Sequence, residues 1–443
     1  MANDEITFYG GAQEVGRSCV NVYSKIGQIM LDCGIKLGDP IEYPIIPKED
    51  FKKIKHIVPT HTHLDHIGFL PHIIQKGKAY NAKIYATKPT RDLMQLLLSD
   101  YQRLQEKKLF STKDVETVLE KTQQVEYKQK ISGKGLIPFT LYNSGHILGG
   151  AMIKLEGKCD LLYTGDLNLR ETKIIEGAEL GLKAKNLILE STYGGKTDRL
   201  PSLKNASQQL IESIKETLIA GGHVLIPTFA VGRGQNIMMV IESYMRSGAL
   251  PKVPIYTDGM VNRANRIYRH NVIYAKEEIK MRILMSDEDP FKSPFYKVPK
   301  TKDRSDVLSE PCIILSTSGM LTGGPVLNYL EKLIENPKNK LIIVGYQVEG
   351  SLGRKLLDGE KYVQLGYGED KKEYEVKMKV ETVPFSGHSD HDDLIKFVKS
   401  IKGLKKVFLM HGEPKKIQEL AEDIQQNKKV EVIMPKNTEI FKL

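Results

Sequence analysis

The sequence predicts an α/β protein of two domains, and three observations lead to this prediction. A chain of 443 residues is longer than one compact core normally supports. Its first third consists mainly of short apolar stretches separated by turn residues, which is the pattern of β-strands. After Gly195 the pattern alternates helix and strand with glycine at the junctions, which is typical of a parallel sheet with flanking helices.

The elements of the first third follow from the spacing of apolar residues. The stretch CVNVYSKIGQIMLDCG predicts a hairpin that turns at residues 25–27, and HIVPT and AKIYAT predict two brief strands. Helical spacing predicts a helix in TRDLMQLLLSDYQRLQEKK, and a capping box of Ser111 and Asp114 opens another in STKDVETVLEKTQQV. Further strands are predicted in FTLYNSGH, GAMIKLEG, CDLLYTGD and NLILEST.

The rest of the chain shows two patterns. Residues 201–259 and 311–347 each alternate helix and strand, which predicts a parallel α/β domain. From about Lys377 to Leu443 the predicted order is strand, helix, strand, helix, strand.

The composition excludes several classes of protein. Hydrophobic residues make up 40% and charged residues 27% of the chain, as in an ordinary soluble protein, and no apolar run approaches the ~20 residues of a membrane span. The N-terminal stretch MANDEITFYGG carries acids where a signal peptide carries basic residues. The four cysteines are scattered, which argues against a disulfide framework and a cysteine-zinc module. We therefore expect a cytoplasmic protein.

The net charge of +10 leaves two interpretations open. A surface rich in lysine and glutamate is often simply solvated. A basic protein can equally have a polyanionic partner, with nucleic acid as the first candidate.

The stretch HTHLDH predicts a metal site between an apolar strand and an apolar helix, KHIVPT and IGFLPHIIQK. It brings four metal-binding side chains into six residues, namely His61, His63, Asp65 and His66. In an extended loop alternate residues can face the same way, so His61 and His63 can bind one ion. Asp65 and His66 are then turned toward a second ion. Imidazole and carboxylate are the ligands expected at a catalytic zinc site.

Further ligands must come from other strand ends. His146 follows an apolar strand in NSGHILGG, and Asp166 follows another in LLYTGDLN, where its two oxygens suit a bridge between two ions. Asp32 ends the strand in MLDCGI, and we interpret it as the group that orients a ligand histidine. Each residue alone is a weak signal, because aspartate after a strand is usually a turn residue.

These motifs together resemble those of the metallo-β-lactamase superfamily. LILESTYGG, PFSGHSD and FLMHGEP are similar to the three motifs of its β-CASP branch, and LLYTGDLN, TFAVGRGQ and GYQVEGSLGR resemble ribonucleases of the cleavage-and-polyadenylation-specificity-factor type, including archaeal homologues. The resemblance implies an αββα metallo-β-lactamase sandwich interrupted by a β-CASP α/β domain. It implies domain limits of 1–194, 195–378 and 379–443, where the first and last segments form one domain. It also implies a short form without RNA-binding KH domains.

The resemblance further implies a dinuclear zinc site, with two Zn²⁺ per chain, and a hydroxide that attacks the scissile phosphorus. Its ligands would be His61, His63, His146 and bridging Asp166 for one ion, and Asp65, His66, Asp166 and His411 for the other. The implied catalytic residues are His388, Glu190 and Asp65, with His388 as the proton donor and Glu190 as the group that fixes its tautomer. The stretch SGHSDHDDL would then carry this acid at the start of a helix capped by Ser389 and Asp392. His391 is expected to be a bystander to this chemistry.

Several serines and arginines are candidates for binding the RNA backbone. VGRGQN and STSGML each follow a strand, where backbone N–H groups and side chains meet phosphate, although Arg233 could also be a merely exposed arginine of a tight turn. The candidate residues are Arg233, Ser316, Ser318, Arg354 and Ser386.

The predicted function is a zinc-dependent ribonuclease that acts on single-stranded RNA in processing or decay, as an endonuclease, a 5′-to-3′ exonuclease, or both. The alternatives are a catalytically inactive RNA-binding subunit of a processing complex and a DNA nuclease. A small-molecule hydrolase of the same superfamily would lack Glu190, His388 and His411. A homodimer or an RNA-processing complex is a possible assembly.

Overall fold

The computed structural model describes residues 4–105, 108–286, 288–345, 347, 350–366 and 371–443. The chain divides into two compact units. The first comprises Met1–Glu171, Ile175–Arg199 and Gly387–Leu443, and the second comprises Thr172–Ile174 and Leu200–Ser386. The boundaries expected from the sequence, after residues 194 and 378, lie a few residues earlier. The second one differs because Lys379–Thr382 pairs with Lys340–Ile343 in the sheet of the second unit.

One sheet of the first unit has seven strands within the described residues. They are β1 (Glu5–Gly10), β2 (Cys19–Tyr23), β3 (Gln28–Leu31), β4 (His56–Val58), β5 (Lys83–Ala86), β6 (Thr122–Gln124) and β22 (Ile440–Lys442). Their order is β22-β1-β2-β3-β4-β5-β6. The hairpin β2–β3, which pairs Val20 with Leu31, confirms the turn predicted at residues 25–27.

The other sheet of this unit also has seven strands in the part of the chain that the structure describes. They are β7 (Lys130–Gly133), β8 (Leu136–Asn143), β9 (Ala151–Leu155), β10 (Leu161–Tyr163), β11 (Asn186–Glu190), β20 (Lys406–Met410) and β21 (Glu431–Ile433). Their order is β21-β20-β11-β10-β9-β8-β7, and β10, β11, β20 and β21 run parallel.

The helices of the first unit cover the outer faces of the two sheets. They are α1 (Leu64–Ile67), α2 (Leu70–Ile73), α3 (Lys88–Leu104), α4 (Thr112–Lys121), α11 (His391–Ser400) and α12 (Pro414–Asn427). One apolar core, with Phe8 and Phe139, fills the space between the sheets. A second core packs α3 and α4 on the first sheet, and a third packs α11 and α12 on the other. The layers are therefore helix, sheet, sheet, helix, which confirms the predicted sandwich.

The second unit is built on a parallel sheet with helices on both faces. Its strands are β12 (Val224–Pro227), β13 (Ile255–Asp258), β14 (Tyr296–Lys297), β15 (Ile313–Ser316), β16 (Lys340–Ile343) and β19 (Lys379–Thr382), in the order β14-β13-β15-β12-β16-β19. Its helices are α5 (Leu203–Ile219), α6 (Arg233–Arg246), α7 (Val261–His270), α8 (Glu277–Leu284), α9 (Pro325–Leu333) and α10 (Leu352–Leu357). A small hairpin joins β17 (Tyr362–Leu365) to β18 (Lys372–Glu375), and 3₁₀ turns in the chain lie at Phe51–Lys53, Val272–Tyr274 and Ser305–Ser309. Two apolar cores, one on each face of the parallel sheet, confirm the predicted α/β domain.

Two helices differ from the prediction. The Ser111–Asp114 capping box is confirmed, but α4 ends at Lys121 because Thr122–Gln124 pairs with β5 as a strand. The stretch IGFLPHIIQK contains the last residue of α1 and the short helix α2 instead of one continuous helix, since α2 begins at Leu70 with Pro71 in its first turn. Proline has no N–H to donate in a continuous helix, but it fits the first turn of a new one.

Candidate metal centre

The predicted metal-binding residues lie in the first unit, and most of them follow the C-terminal ends of strands. Asp32 follows β3, His61 and His63 follow β4, Asp65 and His66 lie in α1, His146 follows β8, Asp166 follows β10, Glu190 ends β11 and His411 follows β20. Asp32 and His411 have positive φ angles of 59° and 52°, which a residue other than glycine rarely adopts. The backbone is thus held in an unusual conformation at two positions of the site.

The first group of donors surrounds a single point. Nδ1 of His63 lies 3.0 Å from Nε2 of His61 and 3.1 Å from Nε2 of His146. Oδ2 of Asp166 lies 3.5 Å from the same Nε2 atoms of His61 and His146. Three imidazole nitrogens and one carboxylate oxygen therefore converge, which is the ligand set of a four-coordinate metal ion.

The second group meets the other oxygen of the same aspartate. Oδ1 of Asp166 lies 3.2 Å from Nε2 of His66 and 3.4 Å from Nδ1 of His411. Oδ2 of Asp65 lies 3.4 Å from Nε2 of His411. The two oxygens of Asp166 thus face two different groups of donors.

Buried atoms without hydrogen-bond partners mark the second group. Among the described residues, Nε2 of His66, Oδ1 of Asp166 and Nε2 of His411 are buried and accept or donate no hydrogen bond. The exposed fractions of these side chains are between 1% and 4%. An unsatisfied buried polar atom is costly, and three of them at one place are explained by a cation that they would bind. The residues fit divalent metal ions, because imidazole and carboxylate are their usual ligands.

Burial and local charge shift the pKa values in the cluster. Burial lowers the pKa of His61 and of His146 well below the ordinary value, so both rings are neutral. Burial alone would raise the pKa of Asp166, but the charges on His66 and His411 hold it well below its usual range. Neutral imidazole and ionised carboxylate are the forms that bind metal, so His61, His146 and Asp166 are in these forms. Although burial opposes it, the charge of Asp166 raises the pKa values of His66 and His411, so these two rings would lose a proton when a metal ion binds.

Hydrogen bonds outside the cluster orient its histidines. Nδ1 of His66 donates to Oδ2 of Asp32 over 2.7 Å, as expected for the orienting role of this aspartate, so Nε2 faces the cluster. The same carboxylate accepts from the hydroxyl of Tyr163 at 2.7 Å and from the backbone N–H of Thr60 at 2.6 Å. Nδ1 of His146 donates to the carbonyl of Gly387 over 2.6 Å. Tyr163 and Thr60 carry no sequence signal that predicts this contact.

A third group combines Glu190 and His388 with Asp166. Nδ1 of His388 donates to Oε1 of Glu190 over 2.9 Å, and Nε2 of His388 lies 3.9 Å from Oδ2 of Asp166. Oε1 of Glu190 also accepts from the backbone N–H of Leu167 at 2.7 Å. The sequence-predicted partners are therefore brought together next to the first group of donors.

The start of helix α11 differs from the prediction. Asp390, and not Ser389, caps the helix by accepting from the backbone N–H of Asp393 at 3.1 Å. The hydroxyl of Ser389 instead accepts from the backbone N–H of Leu169 at 3.0 Å. The carboxylates of Asp390 and Asp393 both accept from the guanidinium of Arg170. This side chain therefore ties the loop after Asp166 to the segment after His388.

His391 belongs to none of the three groups of donors, and its side chain has a structural role in the first unit. Its ring is buried, with Nδ1 at 2.6 Å from the carbonyl of Gly194 and Nε2 at 2.9 Å from Oδ2 of Asp423. It thus joins α11 to α12 and to the loop after β11.

The candidate RNA-binding residues belong to the second unit. Arg233 begins α6 after β12, with its guanidinium against Gly345 after β16, and Ser316 ends β15, so these groups lie where the parallel strands end. Within the described chain, the hydroxyl of Ser316 is buried without a hydrogen-bond partner. The hydroxyl of Ser318 accepts from the backbone N–H of Thr322 at 3.1 Å. Arg354 donates to Asp358 over 3.0 Å, and Ser386 ends the second unit.

The fold and the donor set define a metallo-β-lactamase-type protein with an inserted domain. Three family models match the chain: a metallo-beta-lactamase superfamily domain over residues 23–192, a Beta-Casp domain over 234–356 and a Zn-dependent metallo-hydrolase RNA specificity domain over 373–435.

Relatives are similar over nearly the full chain. It is 40% identical to an RNase J-like protein of Methanocaldococcus jannaschii, over 97% of both chains. It is 39% identical to the transcription termination factor FttA of Methanothermobacter thermautotrophicus, over 99% of this chain and 71% of the relative. The chain belongs to the β-CASP nuclease family of the metallo-β-lactamase superfamily.

A solved structure shares the fold. The crystal structure of a protein of unknown function from Enterococcus faecalis V583 matches with a TM-score of 0.62 and 15% identity, over 100% of each chain. At this identity the match supports the architecture alone. None of the described helices combines the length and the apolar character that crossing a membrane requires.

Proposed function

We propose that this chain is a zinc-dependent ribonuclease that hydrolyses phosphodiester bonds of single-stranded RNA. The observation that carries the proposal is the position of Asp166, whose two oxygens face two separate groups of imidazole donors. A site of this kind suits two metal ions that share one carboxylate. The names of the matched RNA specificity domain and of the RNase J-like relative support RNA as the substrate.

In this proposal two zinc ions are held by the two groups of donors. His61, His63, His146 and Asp166 hold one ion, and Asp65, His66, Asp166 and His411 hold the other. When bound, the two ions acidify a water molecule and stabilise negative charge on the phosphate oxygens. Zinc is the metal that a set rich in histidine nitrogen favours over magnesium or calcium.

The protein's own residues handle the proton of the leaving group. Because the carboxylate of Glu190 only accepts, Nδ1 of His388 carries a hydrogen and Nε2 is the nitrogen that faces Asp166. A proton on this nitrogen can pass to the ribose oxygen that leaves. General acid catalysis of this kind contributes about 10²–10⁴-fold to a rate.

The second unit supplies contacts to the RNA backbone in this proposal. The N-terminus of α6, with Arg233, presents backbone N–H groups and a guanidinium where phosphate binds well. Ser316 is a second candidate hydrogen-bond donor to phosphate, because its buried hydroxyl has no hydrogen-bond partner among the described residues. Ser318, Arg354 and Ser386 are weaker candidates, since the first two already bond within the chain.

The mode of cleavage is tested with one labelled RNA in three forms. Zinc-loaded protein is incubated with a 5′-monophosphate, a 5′-triphosphate and a circular version of the same sequence, and with the matched DNA. Internal cutting predicts that the circle is opened, whereas 5′-to-3′ exonuclease activity predicts mononucleotides from the monophosphate alone. Both results together mean both activities.

The controls separate this function from its alternatives. Chelation should stop cleavage, and added zinc should restore it. Zinc-loaded protein that leaves every RNA intact contradicts the proposal. Faster cleavage of the DNA would identify a DNA nuclease, and protein that binds RNA but purifies without zinc would identify an inactive RNA-binding subunit.

A further inference from the structure

Six exposed lysines form a positively charged surface on the first unit, which we call the lysine edge. They are Lys183, Lys185, Lys399, Lys402, Lys405 and Lys429. They come from three segments of the chain that the backbone holds together. The N–H of Lys405 donates to the carbonyl of Lys185 over 2.8 Å, and the N–H of Ala184 donates to the carbonyl of Lys402 over 3.1 Å.

The lysine edge and the candidate metal centre lie at opposite ends of the same parallel strands. Lys185 directly precedes β11, which ends at Glu190, and Lys405 directly precedes β20, which His411 follows. A strand of five residues at about 3.3 Å per residue spans roughly 17 Å. The lysine edge is therefore outside the metal centre but on the same unit.

The lysines of this edge lack acidic partners. Among the described residues, no carboxylate lies within ion-pair distance of any of the six ammonium groups, whereas Lys196 and Lys416 of the same unit pair with Glu422 and Asp198. Charges of one sign repel each other, so six unpaired lysines on one surface are best compensated by a bound polyanion.

The shape of the surface offers a place for such a ligand. An open depression of 390 Å³ is lined by Leu404, Lys405, Gln425, Lys428, Lys429, Val430 and Glu431. Glu431 is its one acidic lining residue in the described structure, and it faces Lys406 at 3.8 Å. The ammonium group of Lys428 donates to the carbonyls of Val398 and Ile401 over 2.7 Å each, which fixes this wall against the end of α11.

The chemistry of the lining favours a phosphate backbone over a protein partner. Its apolar residues are the buried Leu404 and the half-buried Val430, which do not form the apolar centre that a protein interface needs. No aromatic side chain lines the depression in the described residues, so bases have nothing to stack on. Lysine ammonium groups bind phosphate as point charges without reading sequence.

We propose that the lysine edge binds the phosphate backbone of a single-stranded RNA outside the segment that is cleaved. The inference rests on the proposed ribonuclease function and extends it with a second, sequence-independent contact surface. An RNA long enough to reach both places binds more tightly than one that occupies the metal centre alone.

The test compares two triple variants with equal changes of charge. K402E/K405E/K429E alters the lysine edge, and K48E/K76E/K113E alters three exposed lysines elsewhere on the same unit. Binding is measured by fluorescence anisotropy over a series of salt concentrations. The probes are cleavage-resistant phosphorothioate RNAs of about 8 and about 40 nucleotides, the first within the usual size of a single-strand site.

The lysine-edge variant should bind the long RNA about tenfold more weakly than the control variant. Each lost phosphate contact reduces the salt slope by about 0.7, so the slope should become shallower by about 2. Binding of the short phosphorothioate RNA, and cleavage of an unmodified RNA of the same length, should match the wild type. Lysine-to-glutamine changes at the same three positions give a smaller effect in the same direction and guard against misfolding of the glutamate variant.

Three outcomes would count against the proposed RNA-binding role of the lysine edge or against the ribonuclease function. Equal long-RNA affinities and slopes for the two variants overturn the proposal. A duplex DNA is the third anisotropy probe. If the lysine-edge variant binds this DNA more weakly but binds the long RNA as the control variant does, the proposal is also overturned, since the surface would then bind DNA. Wild-type protein that cleaves no RNA contradicts the ribonuclease function, and the anisotropy comparison still decides whether the lysine edge binds RNA.

Discussion

Glu190 and His388 lie 198 residues apart in the sequence, and Nδ1 of His388 donates a hydrogen bond to Oε1 of Glu190 over 2.9 Å. The side chain of Glu190 is buried, while that of His388 retains 14% of its surface exposed. The buried carboxylate thus holds a partly exposed imidazole beside Asp166. This relationship gives His388 a role that differs from that of the surrounding histidines, and it leads to the first two predictions.

Replacing His388 with alanine should abolish RNA cleavage but leave the zinc content near that of the wild type. The reason is that His388 lies outside both groups of donors that surround Asp166. In the proposed mechanism, His388 supplies a proton and does not bind metal. The expected loss is about 10²–10⁴-fold in kcat. Elemental analysis and a cleavage assay on the same preparation check the prediction, and loss of zinc would show that His388 is a ligand.

Replacing Glu190 with glutamine should lower kcat by about 10–100-fold, because the amide no longer holds the imidazole as an ionised carboxylate does. The carbonyl oxygen of glutamine can still accept from the backbone N–H of Leu167, so the fold should be retained. The exposed Glu120, changed to glutamine, is the matched control and should have wild-type kcat. Equal activity of the two variants would contradict the orienting role of Glu190.

Replacing His63 with alanine should remove both metal and activity. Its Nδ1 lies within 3.1 Å of the Nε2 atoms of His61 and His146, so its loss takes one of the three nitrogens from the first group. The exposed His270 of the second unit, changed to alanine, should keep its zinc. Full zinc content in the His63 variant would refute the assignment of this residue as a ligand.

Replacing Asp32 with asparagine should weaken the binding of one zinc ion by about 10–100-fold, because Asp32 accepts from Nδ1 of His66. Replacing Tyr163 with phenylalanine removes one hydrogen bond to the same carboxylate and should have a smaller effect. Competition with a zinc chelator measures both affinities. The order wild type, Tyr163 variant, Asp32 variant is expected, and the reverse order would contradict it.

Replacing Arg170 with alanine should lower the free energy of unfolding by about 1–3 kcal/mol, because it removes a charged partner of the buried carboxylate of Asp390. The kcat should also fall, since Arg170 ties the loop after Asp166 to the segment after His388. Arg199 pairs with the exposed Asp392 of the same helix, so its change to alanine should cost about 0–1 kcal/mol. Urea unfolding of the two variants compares them, and equal losses would contradict the prediction.

Helices and strands of the fold could be predicted where the local sequence carries a clear pattern. Apolar spacing predicts α3, and a capping box predicts the start of α4. The strand at Thr122–Gln124 could not be predicted, because it forms only by pairing with β5. Its first residue, Thr122, pairs with Ile84, which lies 38 residues earlier in the sequence. Pairing across such a distance leaves no mark in the local sequence.

The candidate metal centre likewise has some residues that the sequence predicted and others that it did not. HTHLDH is recognisable because four metal-binding side chains stand in six residues. Thr60 and Tyr163 escaped prediction because their common partner, Asp32, is 28 and 131 residues away. Arg170 escaped for the same reason, as it lies 220 residues from Asp390.

The sequence by itself determined the α/β class, the local metal-binding cluster and the family to which the chain belongs, because these rest on periodicity and on side chains close together along the chain. The motifs only implied that Asp166 bridges two groups of donors and that Glu190 holds His388, and the tertiary structure placed these side chains together. Only the tertiary structure revealed that Arg170 joins two loops. It also brought together six lysines from three segments. The physical reason is that each of these contacts joins segments far apart in the sequence, which meet only when the strands have paired and the loops at their ends have come together.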